Sequence, residues 1–101
     1  MQLARVLGQV VSTVKEQALE RHTLLLLADV DPTGGGGDGQ DPEESSYVAV
    51  DLVGAGVGEV VLVAGGGAAR VAAGAEVPVD RAVVAIADSV IRAGTVTYSK
   101  S

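Results

Sequence analysis

Few residues of this 101-residue chain have types and spacing suited to chemistry: one histidine, no cysteine, and a scatter of carboxylates among fourteen glycines. The missing cysteines exclude disulfides, thiolate metal sites and a thiol nucleophile. His22 alone cannot build a histidine metal cluster, and any nucleophile–base arrangement would have to use it. It stands beside Thr23 at the head of an apolar run, the setting of an ordinary edge histidine, and no serine occupies a nucleophile elbow. Glu43 and Glu44 are a carboxylate pair, but in a glycine-rich stretch, whereas acid–base catalysis needs two carboxylates held rigidly in different surroundings. No catalytic residue is expected.

Two motifs invite a ligand. The run GAGVGE, residues 54–59, imitates a dinucleotide-binding fingerprint, but its third glycine falls one place early and the residues after it, VVLVA, read as a strand. The fingerprint needs a helix there, its N-terminus facing pyrophosphate. Asp29, Asp31, Thr33 and Gly34 imitate the opening of a calcium loop, yet Gln40 stands where a bidentate glutamate belongs. Neither a cofactor nor a metal site is expected. Asp51 and Asp88 differ, since each interrupts a valine-rich run. A carboxylate in a strand is costly to bury unpaired, so each must face solvent, cap a corner amide, or meet Arg5, Arg70 or Arg81 from its own or another subunit.

The elements that position these residues follow from β-branched runs and glycine breaks. Leu3 to Val14 reads as a strand bent or bulged at Gly8, and Lys15 to Arg21 as a helical turn or solvated loop. His22 to Val30 reads as a second strand. Asp31 to Ser46, with four consecutive glycines and five acidic residues, has nothing to bury and is expected to form a flexible surface loop at about 32–46. Val48 to Arg70 reads as strand, corner, strand and glycine cluster, with Gly54, Gly56 and Gly58 permitting backbone angles a Cβ would forbid. A short helical turn continues from Ala68. Arg81 to Ile91 is ambiguous: Asp80 could cap a helix and Gly94 end one, but five β-branched residues favour a strand. Thr95 to Ser99 reads as a short final strand. Five main strands and one helical turn are the pattern of a small, closed or nearly closed barrel, mainly β.

The bulk properties agree with one domain over residues 1–101. Aromatic residues are only Tyr47 and Tyr98, so the core must come from Val, Leu, Ile and Ala. Burying a Val or Leu contributes about 1.5–3 kcal/mol and an alanine far less, so a modestly stable monomer that gains from self-association is expected. A net charge of −6, with seven scattered basic residues, opposes a phosphate backbone. The opening MQLARVLGQVV carries an arginine within its apolar run and no small-residue cleavage site, so neither a signal peptide nor a membrane span is expected, and the cytoplasm is the default location.

Taken together, YVAVDLVGAGVGEVVLV, the GGGAAR segment, PVDRAVVAIADSV and the opening MQLARVLGQVVSTVK closely resemble the EutN/CcmL family, the pentameric vertex proteins of bacterial microcompartment shells. The family's VGAGxGE motif falls on Val53 to Glu59. Its GSSAR segment falls on Gly66, Gly67, Ala68, Ala69 and Arg70, with both serines replaced, and its PVDA segment on Pro78, Val79 and Asp80, with Arg81 in place of the alanine. The resemblance implies a five-stranded, OB-like barrel assembling as a cyclic pentamer, without enzymatic activity, that closes shell vertices beside hexameric and pseudohexameric tiles. At such a ring's seam the expected interface residues are Asp51, Gly54, Gly56, Gly58, Glu59, Arg70, Asp80 and Asp88, the glycines letting backbones approach closely and the carboxylates finding a partner across it. The alternative is an OB-fold module binding single-stranded nucleic acid or a small ligand, against which stand the two tyrosines and the excess acid.

Overall fold

The computed structural model describes residues 1–12, 17–19, 22–30, 45–74 and 80–99. Five strands close into a barrel in the order β1-β2-β3-β5-β4: β1 Gln2–Val10, β2 Thr23–Asp29, β3 Tyr47–Asp51, β4 Val60–Gly65 and β5 Arg81–Ile86. All neighbours are antiparallel except β3 and β5, whose parallel pairing joins Val50 to Ala82 and Asp51 to Val83. The expected mainly β, five-stranded barrel is therefore present. The expected bend in the first strand is present too: the β1–β2 register slips between Val6 and Gly8, and the extra residue sharpens the local twist that closure requires.

Three boundaries differ from expectation. Strand β1 ends at Val10 rather than Val14, and Lys15 to Arg21 contributes only a 3-10 turn at Gln17–Leu19 among the described residues. The helical turn expected from Ala68 is an eight-residue helix, α1, Gly66–Ala73. Its start is set by Gly66, which has φ +57° and donates its N–H to the Asp80 carbonyl at 2.8 Å. Gly74 follows the last helical residue at φ +108°. The single strand expected over Arg81 to Ile91 divides at Ala87 and Asp88: β5 stays in the barrel, and β6 Ser89–Arg92 pairs with β7 Thr95–Ser99 as a separate hairpin. Asp80 consequently caps no helix over Arg81 to Ile91; its carbonyl instead receives the first N–H of α1. Gly94 ends none either, but completes a two-residue turn with Ala93, with φ +79° and +51°, the doubly positive geometry that matches strand twist. Most of the 32–46 loop, residues 32–44, lies outside the described residues.

The core is built from the inward positions of every barrel strand: Ala4, Val6, Leu25, Leu27, Ala49, Val61, Val63 and Val83, with Tyr47, Ala55 and Ile86 packed against it. Among the described residues nothing buried is polar or charged. On the outer side α1 packs against β4 and β5. There Ala64 and Ala82, paired across the two strands, and the completely buried Ala69 are small enough for helix and sheet to approach closely.

A locked corner and a candidate subunit seam

The pairing registers place Gln2, Asp29, Tyr47, Gly65 and Arg81 at one rim of the barrel, and Val10, Thr23, Asp51, Val60 and Ile86 at the other. The glycine corner, residues 52–59, belongs to the second rim and is held by its own acidic side chains. Asp51 Oδ1 accepts the N–H groups of Val53 and Gly54 at 3.0 Å each, and Oδ2 accepts that of Ala55 at 3.0 Å. Glu59 Oε1 accepts the N–H of Gly56 at 2.6 Å, and a Cβ on Gly56 would stand 3.3 Å from that oxygen. Gly54 and Gly58, at φ +78° and +89°, supply the left-handed conformations.

Strand β1 clamps the corner from the side. Val6 donates its N–H to the Glu59 carbonyl at 2.9 Å and accepts that of Gly58 at 2.9 Å, while Arg5 Nη1 donates to the Gly58 carbonyl at 2.7 Å. Of the three roles open to Asp51, the amide cap is therefore the one it fills, and Arg5 serves a backbone carbonyl. The nest of amides that might have received phosphate is occupied by the chain's own carboxylates, which removes the physical basis of the dinucleotide reading.

The opposite rim holds a cluster with no local signature in the sequence. Tyr47 donates its hydroxyl to Asp29 Oδ1 at 2.7 Å, Gln2 Nε2 donates to Asp29 Oδ2 at 3.2 Å, and Arg81 Nη1 donates to Gln2 Oε1 at 3.2 Å. The Arg81 guanidinium also lies over the Tyr47 ring, 4.3 Å from its centre. Burial first, then the bonded Asp29 carboxylate, push the Tyr47 hydroxyl well above its ordinary value of 10. Asp29 is thus committed to a tyrosine and a glutamine. Asp31, Thr33, Gly34 and Gln40 of the calcium-like motif lie outside the described residues, as do Glu43 and Glu44, and no cluster of three metal-ligating side chains occurs among the described ones.

The residues expected at a seam divide between the two rims. Asp51, Gly54, Gly56, Gly58 and Glu59 share the corner. Asp88 is exposed beside it, since the preceding Ala87 donates its N–H to the Val60 carbonyl at 2.8 Å. Asp80 is exposed at the other rim, where its carbonyl holds the start of α1. Arg70 lies within α1, its side chain outside the described ones. Exposed apolar side chains accompany both groups: Val53 and Val57 on the corner, Val48 on β3, Val71 on α1, and Ile91 and Val96 on the hairpin. No helix among the described residues is long and apolar enough to cross a membrane.

The fold and the corner define a small closed β-barrel protein with an apolar core, a corner capped by its own carboxylates, and valines exposed on the corner, on β3 and on α1. The chain belongs to the EutN/CcmL family: the family described as ethanolamine utilisation protein EutN/carboxysome matches residues 1–88. It is 41% identical, over 99% of its length and 100% of the relative's, to the bacterial microcompartment shell vertex protein EutN of Escherichia coli (strain K12). Among solved structures, the carboxysome subunit CcmL is 44% identical with a TM-score of 0.84, each chain covered in full. The pentameric microcompartment shell protein GrpN from Rhodospirillum rubrum is 39% identical with a TM-score of 0.74, over 91% of this chain and 99% of the other.

Proposed function

We propose that this protein is a structural, non-enzymatic shell component of a bacterial microcompartment, one domain that assembles as a ring of five and caps the vertices of the polyhedral shell. The observation that carries this reading is its similarity, along essentially the whole chain, to shell vertex proteins, together with the likeness of its barrel to a pentameric shell protein. The fold supports it physically. A ring is closed by a heterologous interface, one face of each subunit against a different face of the next, and five copies supply the curvature of a vertex.

In the shell the ring sits among hexameric and pseudohexameric tiles, in the cytoplasm, with neither cofactor nor nucleic acid. The seam uses the corner residues Asp51, Gly54, Gly56, Gly58 and Glu59 with Asp88, and Arg70 and Asp80 from the other rim. Arg70→Ala is expected to weaken the ring more than the barrel, because an arginine contributes most where it is desolvated between subunits; equal losses of folding and assembly would sink that role. The OB-fold binding alternative has no support among the matched relatives, and Arg81 covers a face of the Tyr47 ring that base stacking would need.

Native mass spectrometry tests the reading directly. The expected species is five times the 10.1 kDa chain. A stable monomer or dimer counts strongly against the shell ring, a hexamer or decamer leaves the shell role open but unsettles the vertex geometry, and salt-sensitive submicromolar binding of an oligonucleotide revives the alternative.

A further inference from the structure

Four polar side chains continue the inward face of the barrel one layer beyond its apolar core. Side chains two apart along a strand share a face. Gln2 stands two places from Ala4, Asp29 from Leu27, Tyr47 from Ala49 and Arg81 from Val83, and each second residue belongs to the core. The ladders agree, since Tyr47 is the direct partner of Leu27 and Asp29 that of Ala4. The β4 member of the same layer is Gly65, two places beyond Val63 and opposite Arg81, and it has no side chain to contribute. At the other mouth Ala55 of the glycine corner and Ile86 pack on the core, so the two ends of the barrel differ in chemistry.

The polar layer is bonded into a circuit. The Tyr47 hydroxyl and the Gln2 amide share the two oxygens of Asp29, Gln2 accepts from Arg81, and the guanidinium returns to the face of the Tyr47 ring. One step of that circuit, Arg81 over Tyr47, spans the two strands that share only the pairs Val50–Ala82 and Asp51–Val83 among the described residues. Both strands start at this rim, and the pairs begin three residues into β3. A planar guanidinium suits the position, because it can lie flat on the ring while an edge nitrogen donates to Gln2.

We propose that Gln2, Asp29, Tyr47 and Arg81 form a polar lid over one mouth of the barrel, and that Arg81 is its strap, holding the start of β3 to the start of β5. The inference goes beyond assembly and holds within a single chain, where Arg81 is engaged by its own subunit. The mouth of a small barrel is also where a ligand would enter, and here the lid fills it.

Hydrogen exchange resolved to single amides, on the full chain at one fixed subunit concentration, tests the strap. The reporter is Leu52, whose N–H crosses from β3 to the Val83 carbonyl, and the reference is the β1–β2 ladder. Arg81→Ala is expected to speed exchange at Leu52 about fivefold to thirtyfold, the factor that a cation–π contact and a side-chain hydrogen bond supply together, while the reference amides change by less than about twofold. Arg81→Gln keeps an N–H donor for Gln2 but no cation for the ring, so it falls between wild type and alanine and reads the strap even where the alanine variant fails to fold. In a Tyr47→Leu background Arg81→Ala adds less than about threefold, since its stacking partner has gone. Leu52 exchange within about twofold of wild type in both Arg81 variants, or an equal acceleration across β1 and β2, overturns the strap. An undiminished Arg81→Ala effect in the Tyr47→Leu background does the same.

Discussion

Replacing Asp51 tests whether the glycine corner is held from within. The carboxylate accepts three backbone N–H groups, two at Oδ1 and one at Oδ2. Bonds to an ionised acceptor contribute about 1.5–3 kcal/mol each when dry, but the site is half-exposed and water replaces part of what is lost. Loss of a single helix-cap oxygen, the nearest measured analogue, costs about 1 kcal/mol. Three bonds at that scale give about 2–3 kcal/mol for Asp51→Ala, which lowers the Tm by roughly 10–20 °C in a chain of this size. Asp51→Asn keeps an oxygen for Val53 and Gly54 but turns an amide N–H₂ towards the Ala55 donor, so its cost is about half as large. Urea unfolding followed by circular dichroism, at one fixed subunit concentration because assembly adds to apparent stability, reads both variants. Two variants within about 0.5 kcal/mol of wild type would show that the amides are equally content with water. An asparagine as damaging as the alanine would refute the division between the two oxygens.

Glycine positions separate by backbone geometry: Gly58→Ala, at φ +89°, is expected to cost about 1–2 kcal/mol. By contrast Gly67→Ala, inside α1 with open space around its Cβ, gains about 0.5–1 kcal/mol, and thermal melts decide both. Ala93→Asn places a residue tolerant of positive φ at the first turn position of the hairpin and is expected to slow amide exchange across β6 and β7; unchanged exchange would contradict the strained alanine. Tyr47 is neutral in the folded protein at pH values where the unfolded chain's tyrosine ionises, near 10. A raised folded value means its contribution is fully present below pH 10 and lost as the pH climbs towards that higher value. Denaturation midpoints should fall across the alkaline range in wild type and fall less in Tyr47→Phe.

Much of the barrel was legible because valine runs and glycine breaks are local signals, and the four strands whose inward residues alternate were placed to within a few residues. The split at Ala87 and Asp88 was not, because β-branched residues continue on both sides and only the pairing of Ile86 with Val61 shows where the barrel stops. The helix was underestimated for the opposite reason: Gly66 and Gly67 are poor helix formers, and the contacts of α1 with β4 and β5 outweigh their propensity. Asp51 was readable as an amide cap since its partners follow within four residues. The cluster of Gln2, Asp29, Tyr47 and Arg81 was invisible, as it joins residues up to 79 positions apart and exists only once the rim has formed.

The parallel pairing of β3 with β5 has a mechanical consequence. Every other joint of the barrel is a longer antiparallel ladder, whereas among the described residues this one rests on two residue pairs and the Leu52 N–H to Val83 carbonyl bond of 3.2 Å. Its two strands are also separated in the chain by the corner, β4 and α1, so it forms after a long loop closes. The cylinder therefore has a zip: local opening starts along β3 and β5, and the amides of that line lose protection at lower free energy than those between β1 and β2. A neighbouring subunit seated across that line would act as a clasp, converting the weakest joint of the isolated chain into one that tightens only in company.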